Sequence, residues 1–458
     1  MKYLLIALSF IICFSCQDHG YKPSIVKKAV PIENNTNRNW QQGWLAAPEN
    51  RKADSSNIIE IPFVLSKVAD SLKNDNTAVL IMSGGPGNGS LHMANGSVYA
   101  SWGKTRDLLV MEQRGTMRAN PSLMCPEIDS LRIMGLKNGL FGKSLDSLKR
   151  VATKSCYDKF IVQGIDLNGY NTLESVEDIE DLRRLLKLDQ LILYGMSYSC
   201  NLMATYAQKY PQKVKALILD SPLPHQSDHD EEVYQNIDST LVRLINHFDG
   251  RASLYNDWKN YLMQIKDSVF EVTIDSSTIF YTRNEIIDLP INAMSSHDGL
   301  KNTIPAIEKI IAGDYEDMKE NMGYYLGKTR QAKGMRYSVW IGEELPEENE
   351  LSIEQNMRKV EWMTGYAAND VSFETMKYWP VKSIYDQWEW PKGNYEGPTL
   401  ILSGEFDPWT PVWYGKMMLP SFPNATHSVY PEHSHLPGFT KKGTEDISDF
   451  LNSITPHL

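Results

Sequence analysis

The sequence predicts an α/β protein, a mostly parallel sheet with flanking helices, interrupted by a large, mostly helical insertion. Three observations carry the prediction. Short apolar runs without alternation (Ala78-Val-Leu-Ile-Met, Asp107-Leu-Leu-Val-Met, Gln190-Leu-Ile-Leu-Tyr, Val214-Lys-Ala-Leu-Ile-Leu) suit strands buried on both faces of a parallel sheet. Helical periods separate the later runs: Ile179, Leu182, Leu185 and Leu186 follow the capping-box-like Ser175-Val-Glu-Asp, and Asn201 to Tyr210 stops at Pro211. Residues 225–396 lose the strand pattern, which returns in Thr399-Leu-Ile-Leu-Ser and Thr426-His-Ser-Val-Tyr.

Along the chain, Lys2 followed by the apolar run Leu4 to Phe14 reads as an export signal over residues 1–15. Cys13-Phe-Ser-Cys16 resembles the box at which bacterial lipoproteins are cut and lipidated, although Cys13 stands where an aliphatic residue is usual. Lipidation of Cys16 is the expectation, with plain cleavage the alternative. No other stretch approaches the roughly 20 apolar residues a spanning helix needs. A polar segment, 16–55, precedes the first part of the core, 56–224, which opens on the strand-like Ile58-Ile-Glu-Ile-Pro-Phe-Val. The insertion, 225–396, carries helical stripes at Val233, Ile237, Leu241, Leu244, Ile245 and Phe248, and at Ile304, Ile307, Ile310 and Ile311. No convincing strand pattern appears in it. Residues 397–458 complete the core.

Composition narrows the function. The chain has 46 Lys and Arg against 57 Asp and Glu, a net charge of −11 that argues against a nucleic-acid partner. Export implies an oxidising compartment, so Cys125, Cys156 and Cys200 are candidates for pairing. Cys125 lies in a loop-like stretch and Cys156 ahead of a helix, so these two can bridge, though spacing does not fix the pairing. Cys200 reads as a small buried hydrophobe.

Three sites fall at the carboxyl ends of expected strands, where open α/β sheets bind ligands. Gly195-Met-Ser197-Tyr-Ser199 puts a serine on a sharp strand-to-helix turn, with Ser199 where a glycine is usual. Ser83-Gly84-Gly85-Pro86-Gly87 can aim backbone N–H groups at an oxyanion; it lacks the Lys-Ser/Thr of a phosphate loop. Asp407 and His435 follow the two returning strands, so the order is nucleophile, acid, base. Ser197 is then the nucleophile, His435 the base and Asp407 its orienting carboxylate. Backbone N–H groups of Tyr198 and Gly85 hold the oxyanion. His433 competes with His435, and His427, inside a strand, reads as structural. His225-Gln-Ser-Asp-His-Asp-Glu-Glu is read as acidic residues complementing a helix dipole rather than as a metal site. No metal or cofactor is implied.

Taken together, Gly84-Gly-Pro-Gly, Glu112-Gln-Arg-Gly, Gly195-Met-Ser-Tyr, Gly404-Glu-Phe-Asp-Pro-Trp-Thr-Pro and His435 in Ser-His-Leu-Pro-Gly resemble the prolyl iminopeptidase and tripeptidyl-aminopeptidase-like branch of the α/β-hydrolase fold. The likeness covers roughly 60–225 and 395–445. The chain departs from the branch at Ser83, Glu112, Ser199, Cys200 and Ser434, where histidine, aspartate and three glycines are usual. The resemblance implies an α/β-hydrolase fold with a helical cap, a serine aminopeptidase acting on peptides with a free amino terminus, and a Cys125–Cys156 bridge. A second bridge of the branch, near Ile341 and Tyr385, has no cysteines here. It also implies that acidic cap residues, at the station of Glu343 and Glu344, bind the substrate amine; a solvated acidic loop is the other reading. An esterase with the same machinery, or a non-catalytic binding lipoprotein, are the competing functions. The sequence does not indicate an oligomeric state.

Overall fold

The computed structural model describes residues 21–69, 71, 75–96, 102–327, 331–386 and 393–454. The expected export signal and Cys16 lie outside the described residues. The strands are β1 (Ser24–Val26), β2 (Asn39–Pro48), β3 (Ile58–Lys67), β4 (Thr77–Met82), β5 (Asp107–Met111), β6 (Gln190–Met196), β7 (Val214–Asp220), β8 (Val269–Ile274), β9 (Ser277–Thr282), β10 (Thr399–Gly404) and β11 (Ala425–Tyr430). Nine of them form one sheet in the order β1-β2-β3-β5-β4-β6-β7-β10-β11. Its first three pairings are antiparallel and the rest, from β5 to β11, are parallel.

Successive side chains of a strand point to opposite faces, and both faces are covered. Leu80, Leu109, Leu193, Leu217 and Ile401 pack with Val176, Ile179 and Leu182 of one helix and Leu202, Met203 and Tyr206 of the next. Their neighbours Val79, Ile81, Leu108, Ile192, Ile218 and Leu402 pack with Ile447 and Leu451 of the helix Lys441–Ser453 on the other side. Burial on both faces is why these runs are apolar throughout.

The early helices are α1 (Pro126–Asn138), α2 (Lys143–Val162), α3 (Thr172–Leu185) and α4 (Tyr198–Lys209). α3 begins a turn earlier than the sequence suggests. Asn171 is its cap, accepting from Glu174 N, while Ser175 Oγ donates back to Asn171 O. Cys156 lies inside α2, not ahead of a helix, and is joined by a disulfide to Cys125, the residue before α1. Cys200 is buried and free. Closing a loop over a separation of 31 residues should contribute about 2–4 kcal/mol. The double substitution Cys125→Ser and Cys156→Ser is therefore expected to lower the urea midpoint with the sheet intact. An unchanged midpoint would count against that contribution.

Between β7 and β10 the chain builds the cap. α5 (His229–Phe248) buries Val233, Ile237, Leu241, Leu244 and Ile245 against Ile286, Ile287, Ile307, Ile310, Trp258 and Trp362, a second core apart from the sheet's. Phe248, expected in the stripe, is the last residue of the helix and is exposed. Several strands escaped the sequence pattern. β8 and β9 form a hairpin inside the cap, turned by Asp275 and Ser276 at positive φ, and β8 is only half covered, so no apolar run marks it. β2, in the segment read as polar, pairs with β3 over its full length; its first half is exposed, which hides it.

Candidate active site

Ser197 stands between β6 and α4 with φ 54° and ψ −124°, a strained conformation that aims the side chain off the sheet edge. The turn is made possible by its small neighbours. A Cβ on Gly195 would lie 2.7 Å from Ser199 O and 2.8 Å from the Cys200 backbone. Ser199, in the usual glycine position, is used: its Oγ accepts from Met196 N at 2.8 Å and lies 2.7 Å from Met82 O.

Asp407 follows β10 and His435 follows β11, so parallel neighbouring strands deliver both to the same sheet edge as Ser197. His435 Nδ1 lies 2.7 Å from Asp407 Oδ2. The carboxylate also accepts from Trp409 N, Thr410 N and Thr410 Oγ1. Burial works to raise the Asp407 carboxyl, but the imidazole and the Thr410 donors outweigh it and hold it below the usual carboxylate range. Burial works to lower His435, and the charges of Asp407 and Asp220 overcome it, raising the imidazole above its ordinary value. His433 takes no part in the pair. Its Nδ1 turns to Pro431 O at 2.6 Å and its ring stacks on His297. His427 meets Ser403 Oγ inside the sheet.

The Asp220-Ser221 dipeptide at the end of β7 links the serine to the histidine loop. Ser197 N donates to Asp220 O at 3.0 Å, and Leu436 N donates to Ser221 Oγ at 2.9 Å. Gly404 is needed because a Cβ there would lie 2.0 Å from Ser434 O. Ser434, where the branch has a glycine, donates to Met294 O and so ties the histidine loop to the cap.

The loop after β4 lies on the Ser197 turn. A Cβ on Gly84 would meet Met196 O at 2.6 Å and Ser197 Cβ at 3.0 Å, and Gly85 has φ 119°. Tyr198 is the first residue of α4, so its N–H has no intrahelical acceptor. The cap grips this loop. Arg336 Nη1 donates to Gly85 O at 2.8 Å, Gln331 Nε2 to Pro86 O at 3.1 Å and Ala332 N to Gly87 O at 2.8 Å. Arg336 is itself held by Asp370 and Asn369 and lies over Trp340. Nothing in the sequence pattern marks Arg336. Below the loop, Glu112 stands for the usual aspartate and accepts from Ser90 N and Thr116 Oγ1. The arginine of the same motif, Arg114, is fully buried and donates to Asp178, Glu49 O and Gly169 O.

Glu343 and Glu344 end a π-helical turn, Trp340–Glu344, and both are buried rather than solvated. Glu343 caps α3: its oxygens accept from Thr172 N and Thr172 Oγ1, and that hydroxyl lies 2.6 Å from Tyr198 OH. Burial, partly offset by Thr172, pushes its carboxyl up to about 7. Glu344 differs. It is 3% exposed and neither oxygen has a hydrogen-bond partner. Burial and then the charges of Glu343, Glu348 and Asp230 push its carboxyl well above the usual range. The acidic start of α5 is capped by a carboxylate from elsewhere, since Glu348 accepts from Asp230 N and Glu231 N.

A serine on a strained strand-to-helix turn, an Asp–His pair after β10 and β11 and a glycine loop laid over the turn are the features of the α/β-hydrolase fold, and the protein has that fold. Residues 77–266 match the family model described as alpha/beta hydrolase fold. Among curated relatives, the chain is 26% identical over 162 residues to serine protease Hip1 of Mycobacterium tuberculosis, covering 33% of this chain and 30% of that protein. It is 24% identical over 192 residues to a tripeptidyl aminopeptidase of Streptomyces coelicolor, covering 40% and 34%. It is 31% identical over 97 residues to a proline iminopeptidase of Chitinophaga pinensis, covering 21% and 32%. The matched part thus spans about a third of the length of these relatives.

Proposed function

We propose that the protein is a serine aminopeptidase that releases residues from the free amino terminus of peptides. Ser197 Oγ attacks the substrate carbonyl carbon while His435 Nε2 takes its proton, with Asp407 fixing the Nδ1–H tautomer. The tetrahedral oxyanion is held by the N–H groups of Tyr198 and Gly85. Collapse passes the proton to the leaving amine and leaves an acyl-enzyme, which water cleaves by the same steps in reverse. Relatives named as peptidases support this reading. So does the disulfide, which suits the oxidising compartment to which the amino-terminal segment points.

One observation carries the amino-terminal selectivity: Glu344, buried in the cap with both oxygens unpartnered. A carboxyl pushed up by burial and by its acidic neighbours is drawn toward its ionised form by an arriving ammonium, which offsets the charge of the cluster. Such a partly desolvated pair should contribute on the order of 2–4 kcal/mol. Acetylating the substrate is therefore expected to lower kcat/KM by about a hundredfold or more, at roughly 1.4 kcal/mol per tenfold. Glu344→Gln should lose about tenfold more on free peptides than on a short acyl ester. Peptides, acetylated peptides and esters compared side by side decide the matter. Equal rates on free and acetylated peptides would refute the aminopeptidase and leave an esterase or an endo-acting peptidase.

A further inference from the structure

Asp220 is a fully buried carboxylate at the end of β7 that no step above employs. Its main-chain oxygen accepts from Ser197 N at 3.0 Å, and Cys200 Sγ lies 3.4 Å away. Its side chain faces the other way: Oδ2 accepts from Tyr194 OH at 2.9 Å, and Oδ1 from Gly438 N at 3.3 Å, three residues past His435. A Cβ on Gly438 would lie 2.4 Å from Asp220 Oδ2, so the close approach of the histidine loop to this carboxylate requires that glycine. Ser221, at φ 52°, adds its hydroxyl to Leu436 N. One dipeptide therefore grips the serine turn through its backbone and the histidine loop through its side chains.

We propose that Asp220 is a positioning residue for the base, keeping the His435 loop in register with the Ser197 turn and setting how readily the imidazole takes up its proton. The inference rests on the reading of His435 as the general base. The titratable groups facing Asp220 are Tyr194 on β6, Cys200 on α4, Tyr430 on β11, and His435 with Asp407. Asp407 and the Thr410 hydroxyl are hydrogen-bonded to the imidazole and Asp220 is not, so Asp220 acts through its charge and through the loop. Burial, offset in part by Tyr194, Gly438 and His435, pushes the Asp220 carboxyl up to about 7. Its charge is present at higher pH and lost as pH falls through that value. While present, it favours the imidazolium.

The test is an NMR titration of the His435 imidazole, assigned by its loss in His435→Gln, in the unaltered protein and in Asp220→Asn. Asparagine keeps an acceptor for Gly438 N and removes the charge. The His435 midpoint is expected to move to lower pH, and the acid limb of kcat/KM to move with it on peptides and esters alike. kcat should fall about tenfold with KM little changed, because the base and not the substrate site is altered. An imidazole that titrates at the same pH in both proteins overturns the proposal. Should Asp220→Asn fail to fold, Tyr194→Phe asks the same question. Losing that donor lets Asp220 keep its proton to higher pH, so His435 should again titrate lower, and no movement overturns the proposal. The imidazole reports whether or not the protein turns over. A shifted midpoint in a protein that cleaves neither peptide nor ester would refute the hydrolase reading and leave the coupling standing.

Discussion

Ser197→Ala is expected to lower kcat on peptides and esters on the order of a millionfold, as loss of a serine nucleophile that acts as a unit with its base does. The fold should survive. The backbone of residue 197 is held by its N–H to Asp220 O and its carbonyl to Cys200 N and Leu223 N, none of which involves the hydroxyl. Alanine meets the same backbone conformation at φ 54° that serine already tolerates. Thermal unfolding within a few degrees of the unaltered protein, together with lost turnover, is the expected pair of results. A well-folded variant that keeps most of its activity would remove Ser197 from the chemistry.

The second large effect falls on stability. Arg114 is fully buried and donates to Asp178 Oδ1 and Oδ2 at 2.7 and 2.8 Å and to Gly169 O at 2.6 Å, with Glu174 at 3.4 Å. Arg114→Met removes the cation but leaves two carboxylates and the carbonyls of Pro48, Glu49 and Gly169 in the interior. Breaking one side of such a network costs about 3–5 kcal/mol, because the remaining charges lose their compensation. Arg51 pairs with the same Glu174 and Asp178 from a partly exposed position, so Arg51→Met should cost less. Urea unfolding of both variants checks the ranking. A loss at position 114 below that at position 51 would mean the outer arginine carries the network.

What could be read from the chain was whatever a short range of residues encodes. The parallel strands are apolar on both faces, so their runs are unambiguous, and the turn at Ser197 announces itself through Gly195 and the small residue Ser199. β8 and β9 were hidden because each has a wetted face and their pairing is decided by a two-residue turn. β2 was hidden because half of it is polar and its partner, β3, supplies the ladder. Within the site, Asp407 and His435 are marked by their motifs, whereas Arg336 and Asp220 act on backbone atoms far away in sequence. An arginine that binds Gly85 O from 251 residues away leaves no local signature. Glu343 and Glu344 looked alike in the sequence, and only the fold separates the one that caps α3 from the one left without a partner.

The parallel pairing of β7 with β10, across the whole of residues 221–398, also governs how the molecule comes into being. During synthesis the serine turn emerges long before Asp407 and His435, so on the reading proposed above a growing chain holds its nucleophile without the base that would activate it. Until β10 arrives, the edge of β7 from Val214 to Asp220 stands open, an apolar strand with unpaired backbone groups. Pairings of such sequence separation form slowly. Until the cap has been made, the newborn chain is therefore exposed to self-association.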